Sequence, residues 1–136
     1  MEPKELSASR DGYSAHLYTS VRSFPKTYEA TEAWWGAEQF GNLAVVSRIT
    51  IKHGKRFIVV PVSAFSGLSL PYKLSVLPIK RGCKVKLLGS DASGAYTCVI
   101  VVRGDEVIER TVRSGEFPEL DYERTIYRTP RPGEID

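Results

Sequence analysis

The residues with the best-defined chemistry are a histidine and three cations that lie within five consecutive positions. His53 is flanked by Lys52, Lys55 and Arg56. Lysine and arginine side chains can hold a phosphate group, and a neighbouring imidazole can accept or donate a proton, so this cluster is compatible with a nuclease-like reaction. The simpler interpretation is that His53 is a polar residue at the tip of a hairpin.

A nuclease-like site needs a second group that orients the histidine, and the surrounding sequence does not supply one. No Asp or Glu occurs between Glu38 and Asp91. Glu106 or Glu109 would have to approach His53 through the fold. The sequence also lacks a nucleophile elbow, a phosphate loop and a dinucleotide-binding glycine pattern. We therefore expect no catalytic residues, and a nuclease-like enzyme is the third hypothesis.

The histidines and cysteines do not have the spacing of a metal site. His16, His53, Cys83 and Cys98 are isolated, and zinc binding would require all four to converge through the fold alone. We expect no metal and no cofactor. Cys83 and Cys98 lie on neighbouring predicted strands, so a disulfide is conceivable, although two reduced and buried thiols are the simpler expectation.

Charge is distributed very unevenly along the chain. Residues 39–90 carry nine Lys or Arg and no acidic residue, which is a net charge of +9. The segments before and after have net charges of −2 and −4, so the overall charge is only +3. A concentrated positive surface attracts anionic partners. The alternative is that the acidic C-terminal segment neutralises this basic segment within the fold.

The leading hypothesis is a small non-catalytic binding module that presents one basic face, between residues 48 and 86, to nucleic acid. Tyr72 is the best aromatic candidate for stacking on a base. Phe57 or Phe65 could also stack if exposed, although both are expected in the core. The predicted basic face consists of Arg48, Lys52, His53, Lys55, Arg56, Lys80, Arg81, Lys84 and Lys86.

The second hypothesis is a protein-binding adaptor, an inhibitor or a self-associating subunit. The basic face would then bind an acidic protein surface, and in a homodimer that surface would be residues 105–123 of the other copy. On the predicted helix, Trp35 aligns with Tyr28, and an exposed pair of this kind would resemble an interface hot spot. The alternative is that this helix face is wholly buried on the sheet.

Two kinds of element should position these residues. Thr27 and Gly41 bracket a helical pattern at about residues 28–40, in which Ala30, Trp34 and Ala37 should face a sheet. Elsewhere the pattern alternates as in strands. His53-Gly54 is a predicted hairpin turn with a basic tip, and a second turn at residues 104–105 should pair Arg103 with Glu106, Val102 with Val107 and Val101 with Ile108.

The predicted fold is α+β, mainly β with one α-helix packed on an antiparallel meander that forms a curled sheet or a small barrel. Residues 1–12 should be a loose leader, residues 13–128 a single domain, and residues 129–136 a frayed tail. The N-terminal residues lack the apolar core of a secretory signal, and no apolar run approaches the roughly 20 residues that cross a bilayer. We expect a cytoplasmic protein with no membrane partner.

Overall fold

Nine β-strands account for most of the chain that the structure describes. This computed structural model describes residues 3–24, 34–37, 41–90, 94–115 and 121–128. A short 3-10 helix, Val62–Ala64, follows the fourth strand. The strands are β1 (Glu5–Arg10), β2 (Tyr13–Phe24), β3 (Gly41–His53), β4 (Arg56–Ile58), β5 (Pro71–Ile79), β6 (Gly82–Gly89), β7 (Tyr96–Arg103), β8 (Glu106–Ser114) and β9 (Asp121–Ile126).

The strands form two antiparallel meanders. β1 to β4 make the first sheet in sequence order, and β5 to β9 make the second sheet in the same way. Apolar and polar residues alternate along β2 and β6, so each strand turns one side toward the core and the other toward solvent. The two core-facing sides supply one continuous apolar cluster, in which Leu17 and Ile51 of the first sheet and Val102 of the second are 0% exposed.

The segment Gly67–Leu70 joins the two sheets by backbone hydrogen bonds. The amide of Val46 in β3 donates to the Leu68 carbonyl at 2.9 Å, and the amide of Ser90 after β6 donates to the Leu70 carbonyl at 2.9 Å. The same short segment is thus bonded to one strand of the first sheet and to the end of a strand in the second. It fixes the position of one sheet relative to the other.

Tyr96, at the start of β7, reinforces this junction. Its ring is buried, and its hydroxyl donates to the Ser69 carbonyl at 2.7 Å. The residue opposite it on β6 is Gly89. A Cβ at that position would approach the Tyr96 ring to 2.3 Å, so only glycine leaves room for the ring to cross the strand.

The predicted α+β fold with a helix at about residues 28–40 is wrong. About 72% of the described residues are in strands or bridges and 3% are helical, and no described helix reaches seven residues. Within the predicted helix, Trp34–Ala37 are described. There Trp35 bridges to Leu68, and Gly36 has a φ of +85°, which a right-handed helix does not allow. Residues 28–33 and 38–40, and with them Tyr28, lie outside the described residues.

Backbone hydrogen bonds explain why Trp35 is not helical although the sequence pattern around it is. Its amide donates to the Gly67 carbonyl at 2.8 Å, and its own carbonyl accepts from the Ser69 amide at 2.9 Å. These bonds to the joining segment replace the bonds to residues four positions away that a helix would provide. Tertiary contacts thus override local propensity here.

Two further expectations change. The described strands form two sheets that do not close into a barrel. The loose leader predicted for residues 1–12 does not hold for β1, which pairs with β2 along its whole length. β1 is an edge strand, and only Leu6 and Ala8 contact the core from it, so its apolar pattern is too short to stand out in the sequence. The predicted tail, residues 129–136, lies outside the described residues.

The hairpin predictions are confirmed in most details. The register pairs Arg103 with Glu106 and Val102 with Val107, as expected, but an irregularity then pairs Val101 with Glu109 instead of Ile108. The turn at His53-Gly54 also exists, followed by a β4 of three residues. Within the described residues, no helix has the length and apolar character needed to cross a membrane.

Candidate functional site

Four hairpin turns meet at one end of the two sheets. The amide of Gly54 in the β3–β4 turn donates to Gly12 in the β1–β2 turn at 2.8 Å. The amide of Gly104 in the β7–β8 turn donates to Arg81 in the β5–β6 turn at 2.6 Å. Between these turns lies a cavity of about 820 Å³, which we call the strand-end cleft. Its lining residues are Tyr13, His53, Lys55, Arg56, Arg81, Gly104 and Asp105.

Asp105 organises the polar side chains of the strand-end cleft. One carboxylate oxygen lies 3.2 Å from Nδ1 of His53, and the other accepts from Nη1 of Arg56 at 2.5 Å. The hydrogen bond from Arg56 is the larger cause, and the contact with His53 the next, of an Asp105 pKa below its usual value. The carboxylate is therefore ionised at neutral pH and bridges two groups from the opposite hairpin.

The imidazole of His53 is fixed on two sides. Its ring stacks on Tyr13 with centroids 4.1 Å apart and an interplanar angle of 7°. Tyr13 is buried, and its hydroxyl lies 3.5 Å from the Gly104 carbonyl. An imidazole whose Nδ1 faces a carboxylate has its other nitrogen available for proton transfer, which is the arrangement of an oriented general base.

Positive charge exceeds negative charge in the strand-end cleft. Among the described lining residues, Lys55, Arg56 and Arg81 accompany one carboxylate, Asp105, which Arg56 already engages. Lys55 and Arg81 are exposed, and neither forms an ion pair within the described part of the chain. The cleft can therefore attract an anion to fixed positions.

A second surface combines aromatic and basic side chains. The outward positions of β1 to β4 form a concavity of about 640 Å³, which we call the aromatic face. Cζ of Arg48 lies 4.8 Å from the Tyr18 ring centroid, and Nζ of Lys52 lies 4.6 Å from the Phe57 ring centroid. The lining residues are Ser7, Ala8, Ser9, Ser14, Ala15, His16, Tyr18, Arg48, Thr50, Lys52 and Phe57.

The strand register explains why these groups share one face. Tyr18 pairs with Arg48 across β2 and β3, and Lys52 pairs with Phe57 across β3 and β4. Side chains directly opposite each other on antiparallel strands point to the same side. Phe57 is 64% exposed, so the expectation that it belongs to the core is wrong, whereas Phe65 is buried as expected.

A third surface lies on the outer side of the second sheet. Lys84 and Lys86, two residues apart on β6, lie there together, as their spacing predicts. This groove of about 860 Å³ also contains the ion pair between Arg124 and Glu109, with 2.5 Å between Nε and Oε1, and apolar side chains such as Ile126.

The predicted basic residues are thus divided among three surfaces. The structure brings His53, Lys55, Arg56 and Arg81 together in the strand-end cleft, and it places Arg48 and Lys52 on the aromatic face. Lys84 and Lys86 lie on the other sheet, beyond the shared core. Lys80 is exposed beside the cleft residue Arg81. Among the described residues, only Arg56 of segment 39–90 forms a Lys or Arg ion pair with a carboxylate, so internal neutralisation of that segment is slight.

The predicted aromatic contacts have different surroundings. Tyr72 on β5 is 51% exposed, as a stacking residue must be. Trp35 packs against the core, and its indole N–H donates to Oε2 of Glu123 at 3.2 Å, which is a structural role. Its predicted partner Tyr28 lies outside the described residues.

The cysteines are far apart and buried. Cys83 pairs with Val102 and Cys98 with Leu87, so the two cysteines are four residues out of register, about 14 Å along the strands. Both thiols are free and buried. Burial raises the pKa of Cys83 to about 11 and that of Cys98 to about 12. In the described ranges, no three His, Cys, Asp or Glu side chains group closely enough to hold a metal ion.

Sequence reasoning missed Asp105 as the partner of His53. Of the two glutamates considered for that role, Glu109 pairs with Arg124, and Glu106 lies opposite Arg103 in the register. The signal that was present is the position of Asp105 in a predicted hairpin turn. Nothing in the sequence shows that this turn meets the turn of His53.

We compared the chain with protein-family models, curated proteins and solved structures, and none of these comparisons gave a match.

Proposed function

We propose that this protein binds single-stranded nucleic acid on the aromatic face. The observation that carries the proposal is the pairing of an aromatic ring with a cation at two places on one strand surface, the half-buried Tyr18 with Arg48 and the exposed Phe57 with Lys52. Proteins that bind single strands combine aromatic rings, on which bases stack, with cations that follow the phosphates. Both components are present here at neighbouring positions.

The energies of the competing contacts support base stacking on these rings. A cation over an exposed ring contributes about 0.5–1 kcal/mol, whereas a base stacked on an aromatic side chain contributes about 1–3 kcal/mol. A base can therefore displace Lys52 from Phe57. The released ammonium group is then free to contact the adjacent phosphate.

The surroundings of the rings fit an extended strand better than a compact small molecule. Tyr18 lies on β2 and Phe57 on β4, with β3 between them, and ideal strand geometry places their Cα atoms about 17 Å apart. The two rings would contact different bases of one strand. Thr50 and Ser14 on this surface are short, and His16, opposite Thr50, stacks on the Tyr18 ring with centroids 5.0 Å apart.

Binding to labelled single-stranded DNA and RNA, measured by fluorescence anisotropy at two salt concentrations, tests the proposal. Phe57→Ala should weaken binding about tenfold, because it removes one stacked base, and Phe57→Tyr should retain binding. Arg48→Ala with Lys52→Ala should reduce the slope of log K against log salt by about 1.4, which corresponds to two phosphate contacts on a single strand.

The matched control removes the same charge from the other sheet. Lys84→Ala with Lys86→Ala should leave the salt slope nearly unchanged. If this control pair weakens binding as much as the Arg48 and Lys52 pair does, the aromatic face is the wrong surface. Absence of salt-sensitive binding to any oligonucleotide would contradict the proposed function altogether.

A second candidate function, cleavage of RNA, is favoured by the contact between His53 and Asp105. In this reaction Nε2 of His53 removes the proton of a ribose 2′-hydroxyl, whose oxygen attacks the adjacent phosphorus. The bond from phosphorus to the 5′-oxygen breaks, and that oxygen takes a proton from water. The products are a 2′,3′-cyclic phosphate and a 5′-hydroxyl end, and no cofactor is consumed.

Incubation with matched RNA and DNA oligonucleotides tests this second candidate. RNA should be cut to cyclic-phosphate products and DNA should remain intact, because only RNA has the attacking hydroxyl. His53→Gln should abolish cleavage. Lys84→Gln, which changes a cation on the outer side of the second sheet, should keep it. Cleavage that survives in His53→Gln, or intact RNA after prolonged incubation with the wild-type protein, would eliminate this candidate without affecting the binding proposal.

A further inference from the structure

We infer that the strand-end cleft binds the terminal phosphate of a nucleic-acid strand whose bases lie on the aromatic face. The inference rests on the proposed function and adds a preference for one end of the strand. It is carried by the charge of the cleft, by its position next to the aromatic face, and by the backbone of Arg81.

The charge of the cleft matches a terminal phosphate better than an internal one. Lys55, Arg56 and Arg81 face one ionised carboxylate, Asp105, which leaves an excess of two positive charges, His53 not counted. A terminal phosphate monoester carries about −1.5 to −2 at neutral pH, whereas an internal phosphodiester carries a single negative charge. The cleft can neutralise the doubly charged group.

The cleft begins where the aromatic face ends. Lys52 and Phe57 are the last outward pair of the β3–β4 hairpin, and the next pair, His53 and Arg56, belongs to the cleft. Successive residues of a strand point to opposite sides. A bound strand must therefore bend over the hairpin tip to enter the cleft. The end of a nucleic-acid strand can stop inside the cleft, whereas an internal segment would have to bend into the cleft and out again.

Arg81 occupies a backbone position that suits glycine better. Its φ is +62°, in the left-handed region. The β3–β4 and β7–β8 turns reach nearly the same φ with glycines, Gly54 at +61° and Gly104 at +62°. A side chain with a Cβ is disfavoured in this region. Asp11 in the β1–β2 turn has a similar φ of +53°. Arg81 is exposed and forms no ion pair with a carboxylate in the described chain, so its charge is available to an anion in the cleft.

Oligonucleotides of one sequence with a phosphate at the 5′ end, at the 3′ end or at neither end test the inference. Anisotropy at fixed salt should show that a phosphate at one end tightens binding at least about tenfold and that a phosphate at the other end has little effect. Lys55→Gln with Arg81→Gln should remove this preference and leave the affinity for the hydroxyl-ended strand close to that of the wild type. Inorganic pyrophosphate should compete with the preferred phosphate end.

Lys84→Gln with Lys86→Gln is the matched control, because it removes two charges outside the cleft and should preserve the preference. Equal affinity for all three oligonucleotides would overturn the inference and leave the proposed function standing. An equal gain in affinity from a 5′ phosphate and from a 3′ phosphate would also overturn it. So would a preference for one end that persists in Lys55→Gln with Arg81→Gln. If none of the oligonucleotides binds, the proposed function and this inference both fail.

Discussion

Arg110 is a cation held almost entirely out of water, with a side chain only 4% exposed. Its Nη1 donates to the carbonyls of Ser63 and Ser66, both at 2.8 Å, and its Nη2 donates to Oε2 of Glu123 at 3.2 Å. Nε lies 2.7 Å from Oε1 of the same carboxylate without the alignment of a hydrogen bond. One guanidinium thus connects β8, β9 and the loop that leads to the second sheet.

Arg110→Met should lower the free energy of unfolding by about 3 kcal/mol, as measured by urea denaturation. The change leaves Glu123 without its cation and two loop carbonyls without their donor. Removing one partner of a buried pair costs about 3–5 kcal/mol. We expect the lower end of that range, because Glu123 is 31% exposed and water can partly solvate it.

Arg103→Met is the control for Arg110→Met. Arg103 is exposed at the end of β7, so its loss should change stability by no more than about 0.5 kcal/mol. Arg110→Lys should lie between the two, because it keeps the charge and loses the planar fork of donors. If Arg110→Met is as stable as Arg103→Met, the buried ion pair does not hold the loop to the second sheet.

At the scale of single residues, the sequence identified the chemistry of His53 but not its partner. His53 and Asp105 lie 52 positions apart and meet only because two hairpin tips touch. Residue spacing along a strand or helix predicts neighbours within an element, and it carries no information on which turns pack together. The same limit applies to Arg110, a charged residue in a strand pattern, whose burial depends on a loop 44 to 47 residues away.

At the scale of elements, Gly82 shows how closely two strands of the second sheet approach. A Cβ on Gly82 would lie 1.9 Å from the carbonyl oxygen of Val102 in β7. Such a contact cannot be relieved by rotating a side chain, because the obstructing atom belongs to the backbone. β6 and β7 would have to move apart at this point.

Gly82→Ala should therefore destabilise the protein by about 1–3 kcal/mol, the usual cost of overpacking, in thermal or urea unfolding followed by tryptophan fluorescence. Gly104→Asn is the matched control, because a Cβ there meets nothing within 4 Å and asparagine tolerates the φ of +62°. A Gly82→Ala variant as stable as Gly104→Asn would show that β6 and β7 can separate at little cost.

Strands with one clearly apolar side were predictable, and elements defined by tertiary contacts were not. The alternation in β3 and the turn residues after β7 are local signals, and the corresponding hairpins are confirmed. β1 was missed because an edge strand needs few apolar residues. The predicted helix was wrong at Trp35, whose backbone bonds to Gly67 and Ser69 formed a bridge that the periodicity of the sequence could not reveal.

At the scale of the whole molecule, the division of the chain into two meanders determines the charge pattern on the surface. The basic segment, residues 39–90, runs from β3 to β6, so it contributes strands to both sheets. Its cations accordingly lie on the outer sides of different sheets and at the hairpin tips between them. The stretch of like charge in the sequence therefore overestimated how many of those charges share one surface.

The edge strands of the two meanders restrict how copies of this protein can associate. An exposed edge strand is a template for pairing with another chain, and natural proteins block it with charge, proline or short length. Here β4 has only three residues, β5 contains Pro78, and the two remaining edge strands carry exposed charges such as Glu5 and Arg124. The edge strands β1 and β5 also lie against each other. Edge-to-edge assembly into a continuous intermolecular sheet is therefore disfavoured at the described edges, which favours faces or hairpin tips for any complex between copies.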